Sequence, residues 1–337
     1  MIVEGTILRG REFTPVEGRV VVESGRINAI EETTVDSDAI VLPAFVNAHT
    51  HLGDSIAKDA GAGLTLPELV APPDGLKHRI LRTASRDRLI EGMTSSIRLM
   101  ESTGTCAFVD FREGGIEGVS AIDEARRGYD IDAVILGREE SDVLEHCDGF
   151  GASGAADGEF SAERRAAERV EKLFGIHAGE VDAGDINPAL DLDPDFLVHL
   201  VAAEPVHLER IADSNTPVVV CPRSNAVTGV GTPPVAELVE RTTVALGTDN
   251  VMLTGPSMFR EMEFVEKIAD VTPETVLRMA TTNGAAIIGA DYGSIEKGNA
   301  AKLLVLDGGS DNLVDSQDPV RSIVRRAGAA DVDRVIL

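Results

Sequence analysis

The chain has 337 residues and sets 57 Asp and Glu against 31 Lys and Arg, a formal net charge of −26 at neutral pH. A surface of that sign repels phosphate backbones and anionic lipid, so nucleic acid and membranes are poor partners and a small molecule is the expected one. The hydrophobic share of 43% supports a sizeable core, and the excess acid reads as a solvated halophilic shell, because molar salt cuts the screening length to about 3 Å.

Residues 1 to 43 alternate β-branched and polar side chains around glycines, in MIVEGTILRG and GRVVVESGRINAIEE, and read as short strands. The far end is built alike: LLVLD lies between turn glycines in GSIEKGNAAKLLVLDG, and VRSIVRRAG and DVDRVIL read as further strands. Neither end has strands enough to stand alone. The two termini, 1–43 and 294–337, are therefore expected to join in one small β-sandwich domain beside a central unit of residues 44–293.

In that unit, strand-like and helix-like stretches alternate at βα spacing. VLPAFVNAHTH is the first strand and leads into a long loop, Leu52 to Lys77. A helix over SRDRLIEGMTSSIRLMES ends at Gly104, and TCAFVDF and IDAVILG are strands two and three. DGFGAS is a weakly marked fourth strand before the helix SAERRAAERVEKL. FGIHAGE, DFLVHLV, TPVVVCPRSN and TTVALGTDN complete eight strands. The expected fold class is thus α/β, a (β/α)8 TIM barrel with the β domain attached. Cys106, Cys147 and Cys221 show no C-x-x-C spacing and read as buried, reduced thiols. No stretch approaches the roughly 18 apolar residues of a spanning helix and no secretory leader is legible, so a cytoplasmic protein is expected, with room for a homo-oligomer.

Barrel chemistry sits where strands end. His49 and His51 are two apart on one strand and so share a face. His177, His199 and Asp249 fall at the ends of strands five, six and eight. Nitrogen and oxygen donors from four strands around one rim suit a catalytic divalent metal. Glu180, three residues past His177, can enter the same pocket as a proton-transferring carboxylate.

The ordered set of strand-one H-T-H, strand-five H-A-x-E, strand-six His and strand-eight T-D-N resembles the amidohydrolase superfamily. The branch is that of cytosine, guanine and adenosine-analogue deaminases and triazine hydrolases, and LPAFVNAHTHL, CPRSN and GSIEKGNAAKLLVLD agree with it. The resemblance implies His49, His51, His177 and Asp249 as ligands of one divalent metal, zinc foremost, with iron or manganese as alternatives. It gives Glu180, His199 and Asp249 catalytic roles: proton shuttle, hydrogen-bonding partner of water or substrate, and proton acceptor. Strand four offers no lysine to carry a bridging carbamate. Asp54, His78 and Arg223 are candidates for substrate contact, each with a structural alternative. The implied activity is hydrolytic deamination of an amino-substituted N-heterocycle, with cyclic-amide hydrolysis, dehalogenation or a non-catalytic ligand-binding barrel as alternatives. The loop from Leu52 to Lys77 lacks the aromatic and glutamine residues that often clasp purines, and Trp is absent.

Overall fold

In the computed structural model, which describes residues 1–71 and 73–337, the amino-terminal strands are β1 (Ile2–Arg9), β2 (Thr14–Glu23), β3 (Arg26–Glu32) and β4 (Ile40–Pro43). The central unit carries β5 (Phe45–His51), β6 (Thr105–Arg112), β7 (Asp132–Gly137), β8 (Gly149–Ala152), β9 (Leu173–Ala178) and β10 (Phe196–His199). It continues with β11 (Val218–Val220), β12 (Val244–Leu246) and β13 (Asp249–Asn250), and β14 (Leu303–Leu306) and β15 (Val332–Ile336) lie at the carboxyl end.

The termini do pair. Six strands form one sheet in the order β15-β14-β4-β1-β2-β3, in which β14 runs antiparallel to β4 from Leu303–Pro43 to Leu306–Ile40. One sheet is found, where the sequence led us to expect a sandwich of two, and burial explains why. Val3, Ile7, Val20, Val41, Leu303 and Val305 make a core of their own. The alternate residues Leu8, Ile40, Leu42, Leu304 and Leu306 belong to the large central core. With both faces of β4 and β14 covered, no second layer is required, and their runs IVLP and LLVL are apolar throughout.

VRSIVRRAG is a second correction: Pro319–Arg325 is a helix. Asp318 caps it, its side chain accepting from the Arg321 amide at 3.0 Å, and Pro319 occupies the first turn, where a missing N–H costs nothing. Val320, Ile323 and Val324 then fall on one face and enter the large core.

The larger sheet is parallel and ordered β12-β11-β10-β9-β8-β7-β6-β5-β13. Its alternating residues Ala48, Val109, Phe111, Phe196, Val198, Val219 and Ala245 form one cluster. Their neighbours Phe45, Phe108, Leu197, Val218 and Leu246 pack into the core shared with the helices. β12 and β13 are two parts of one run: Val244 to Leu246 pair with β11, whereas Asp249 and Asn250 pair with Thr50 and His51 of β5. Gly247 makes the change of partner, at a place where an added Cβ would lie 2.6 Å from His49 Cβ. The buried Asn47 amide locks the crossing, its Nδ2 donating to Thr248 Oγ1 at 2.8 Å and its Oδ1 accepting from Thr248 N at 3.0 Å. Asn47→Ala should therefore cost about 1–3 kcal/mol, the range for leaving buried polar groups unpaired. Urea unfolding would show it as a lower midpoint with an unchanged slope.

Candidate metal centre and active site

Alternation sends His49 and His51 to one side at the end of β5, and parallel pairing brings the ends of β9, β10 and β13 around them. His49, His51, His177, His199 and Asp249 are all buried. His199, Leu200 and Asp249 have φ of 82°, 56° and 58°, left-handed values that cost energy for residues with a Cβ and turn the chain sharply as it leaves each strand.

The outer nitrogens of two rings determine what their inner nitrogens present. His51 Nδ1 donates toward Glu113 Oε1 at 2.9 Å and Phe111 O at 3.1 Å, and His177 Nδ1 donates to Ala152 O at 2.8 Å. A neutral imidazole has one proton, so each ring turns a lone pair inward on Nε2. Those two atoms face each other at 3.4 Å. Both rings are held neutral: burial, reinforced by the Lys77 charge, lowers His51 to about 3, and burial with the neighbouring His49 and His199 rings lowers His177 well below its usual value.

Asp249 Oδ1 lies 3.3 Å from His49 Nε2 and 3.6 Å from His51 Nε2, and neither nitrogen of His49 makes a well-formed hydrogen bond among the described residues. Burial alone would raise the Asp249 carboxyl. Its contact with His49 and the fields of His199, His49 and His51 outweigh that and hold it well below the usual carboxylate range. Ser224 Oγ donates to its Oδ2 at 2.5 Å and Asn250 Nδ2 to its Oδ1 at 2.9 Å. Donor atoms of His49, His51 and Asp249 all lie within 4.8 Å of one another, as do those of His49, His177 and His199. Opposed lone pairs, an unpartnered imidazole and an ionised carboxylate in one buried space repel without a cation and fit a divalent metal with it.

Glu180 and His199 stand on the open side. Glu180 Oε2 is 3.7 Å from His199 Nε2, and burial raises the Glu180 pKa despite the opposing effect of His199. With His51, His177, Asp249, Asn250, Lys77, His78 and Arg138 they line a cavity of about 250 Å³. A more apolar cavity of about 550 Å³, lined by Leu81, Leu89, Met93, Phe150 and Phe160, shares His78, Arg138 and Ser153 with it.

Residues 163–337 match the Amidohydrolase family, and an uncharacterized protein of Methanocaldococcus jannaschii is 35% identical over 98% of this chain and 96% of its own length. The chain belongs to the amidohydrolase family. A 5-methylthioadenosine/S-adenosylhomocysteine deaminase of Halobacterium salinarum is 28% identical, covering 96% of this chain and 88% of that protein. Among solved structures, an adenosine deaminase from Xanthomonas campestris with bound zinc shares the fold at a TM-score of 0.79 and 19% identity, over 100% of this chain and 91% of that one.

In this amidohydrolase the residues named above as ligand and catalytic candidates converge. Of the three substrate-contact candidates His78 joins them, and Asp54 and Arg223 do not. His78 lines both cavities, its Nε2 donating to Val70 O at 3.0 Å. Asp54 lies outside the cavity wall, accepting from Met252 N at 3.2 Å with its other oxygen 3.8 Å from Lys77 Nζ. Arg223 is turned away: its guanidinium contacts buried Glu261 at 3.2 Å and the carbonyls of Gly255 and Ser257. The helix Pro222–Thr228 begins beside the end of β11 and directs Ser224 and Asn225 to the site in its place.

The sequence reading also missed Lys77. Its buried ammonium donates to Asn250 Oδ1 at 3.0 Å and pairs with Glu113 Oε1 at 2.6 Å. Glu113 further takes Arg112 at 2.6 Å and Arg138 at 3.3 Å. The helix Leu76–Thr83 that carries Lys77 begins inside the stretch read from sequence as a loop. For Ser224 and Asn225 a signal existed, their place directly after a strand end.

Asp54 provides a pH test. Burial raises its carboxyl from 3.8 to about 7, more than the nearby Lys77 charge lowers it. Between those values the folded chain keeps a proton that the unfolded chain has lost, so stability falls as pH rises through that window. Asp54→Asn should match the parent near pH 4 and exceed it above pH 7. The gain should be up to about 4 kcal/mol, roughly three units at about 1.4 kcal/mol each. Equal melting temperatures for the two proteins at both pH 4 and pH 8.5 would refute the raised value.

Proposed function

We propose that this amidohydrolase is a metal-dependent hydrolytic deaminase of amino-substituted N-heterocycles. The observation that carries the reading is the set of inward lone pairs on His51 and His177 beside ionised Asp249, with a carboxyl biased toward its protonated form, Glu180, 3.7 Å from His199. Zinc is the ion we assign to His49, His51, His177 and Asp249, in keeping with the zinc in the Xanthomonas campestris fold neighbour. When bound it supplies Lewis-acid activation of water.

The chain's own groups account for the proton traffic. Glu180 gives a proton to a ring nitrogen, which makes the amino-bearing carbon electrophilic, and Asp249 accepts a proton from the attacking water. His199 donates a hydrogen bond to the oxygen as negative charge develops there. Water adds, Asp249 passes the proton it took to the amino group, the carbon–nitrogen bond breaks and ammonia leaves, and the remaining hydroxyl proton returns to Glu180 as the ring keeps a carbonyl. The heterocycle sits in the smaller cavity. The apolar cavity beyond His78 and Arg138 suits an uncharged substituent, which favours a nucleoside-like substrate over a bare base, and the Halobacterium salinarum relative is named for such substrates.

The same proposal includes a closed (β/α)8 barrel over 44–293, supported by the pairing of β13 with β5 while β12 holds β11, and a composite β domain of 1–43 with 294–337. No helix among the described residues is long and apolar enough to cross a membrane. We place the protein in the cytoplasm of a cell with a salty interior, in line with the charge of −26. Its melting temperature should then rise between 0.1 M and 3 M potassium chloride as self-repulsion is screened. A melting temperature that stays constant across that range would remove the halophilic reading.

An ammonia-release screen over purine nucleosides, 5′-alkylthio nucleosides, pterins and pyrimidines tests the activity. Ring opening without ammonia would replace the deaminase by a cyclic-amide hydrolase. With a substrate in hand, His177→Ala should lose both metal and turnover. Glu180→Gln should keep the metal and lose roughly 10² to 10⁴ in kcat, the usual share of a general acid–base group. Metal analysis on each purified variant separates the two, and metal loss in Glu180→Gln would make Glu180 a ligand.

A further inference from the structure

Asn225 lies fully buried in the helix Pro222–Thr228, where its backbone N–H donates to Cys221 O at 3.1 Å. Its side chain reaches two of the groups that the deaminase reading uses. Nδ2 is 3.3 Å from Glu180 Oε1 and 3.2 Å from His199 Nδ1. An amide NH₂ has two protons and no lone pair to give, and the carboxylate accepts one of those protons. The other points at His199 Nδ1, which must therefore be the unprotonated nitrogen.

We propose that Asn225 is a positioning residue that fixes His199 as the Nε2–H tautomer and sets the Glu180 carboxylate against it. The inference deepens the reading given under Proposed function and rests on the roles assigned there to Glu180 and His199. Its consequence is specific. A nitrogen that carries a proton has no lone pair for a metal, so His199 is kept out of the ligand set although its donor atom lies within 4.8 Å of those of His49 and His177. What it offers is a hydrogen-bond donor 3.7 Å from Glu180 Oε2. His177, with its proton on Nδ1 and held by Ala152 O, is the reverse case. Two neighbouring rings, 5.3 Å apart by centroid, are thereby assigned opposite tautomers by what touches their outer nitrogens, one as ligand and one as donor.

The residue before Asn225 works on the same centre. Ser224 Oγ donates to Asp249 Oδ2 at 2.5 Å, so two consecutive side chains orient Asp249, His199 and Glu180. Neither touches the metal donors' inward faces. A polar pair used only to hold the helix in place would have no reason to spend its donors on three groups of one site.

The test is histidine-selective ¹⁵N labelling of the zinc-loaded protein, with long-range proton–nitrogen correlation to tell protonated from bare ring nitrogens. The His199 signal is identified by its loss in His199→Gln. The expected result is a protonated Nε2 and a bare Nδ1 on His199, with the opposite pattern on His177. Asn225→Asp, which sets an acceptor against Nδ1, should move the His199 proton to Nδ1. Asn225→Ala should leave zinc content unchanged and lower kcat by about 10- to 100-fold, the usual cost of losing an outer orienting contact, with KM moving less than about threefold. A wild-type His199 protonated on Nδ1, or a His199 pattern unchanged in Asn225→Asp, overturns the proposal and needs neither substrate nor a folded alanine variant. If the tautomer is as stated and no heterocycle releases ammonia, the deaminase reading fails while the positioning role stands.

Discussion

A neutral imidazole has one proton to place, and in this protein the outer contact of each ring decides where it goes. Glu113 and Phe111 O hold the proton of His51 outside, and Ala152 O does the same for His177, so both turn bare nitrogens toward one point at 3.4 Å from each other. Everything else at the rim follows from that constraint. Two lone pairs and a carboxylate cannot share a dry space without positive charge between them, and the backbone accepts left-handed angles at His199 and Asp249 to complete the ring of donors.

The outer contacts have supports of their own. Glu113 can receive the His51 proton because Lys77, Arg112 and Arg138 surround it; burial works to raise its carboxyl, but Lys77, the contact with His51 and Arg112 hold it well below its usual value. A carboxylate so strongly paired remains a dependable acceptor. On a chain with so large an acidic excess, three cations gathered around one buried carboxylate mark where the fold has concentrated its scarce positive charge. The acidic shell and the cationic cluster are separate devices: one concerns solvent, the other the orientation of a ligand.

What the sequence made legible was whatever depends on local order. Alternation put His49 and His51 on one face, and strand-end positions marked His177, His199 and Asp249. Eight strand-like runs in βα rhythm were recovered, including the faint one at Gly149–Ala152. What it hid was whatever depends on neighbours distant in the chain. Val320, Ile323 and Val324 looked like strand until the Asp318 cap and Pro319 made them helix. Arg223 read equally as a clamp for substrate or as a cap or loop anchor, because its partner Glu261, 38 residues on, is visible only in the fold. Lys77 carried no signal, since its partners Glu113 and Asn250 lie at the ends of two strands distant in the chain.

The left-handed residues at the rim have an implication for how such a protein changes over time. His199 and Asp249 occupy conformations that glycine or asparagine would adopt at less cost. Selection for thermal endurance alone would thus favour replacing the residues that the proposed chemistry requires, and would do so without disturbing the scaffold around them. A collection of variants chosen only for heat resistance should drift toward inert proteins, intact in shape and depleted first at these two positions.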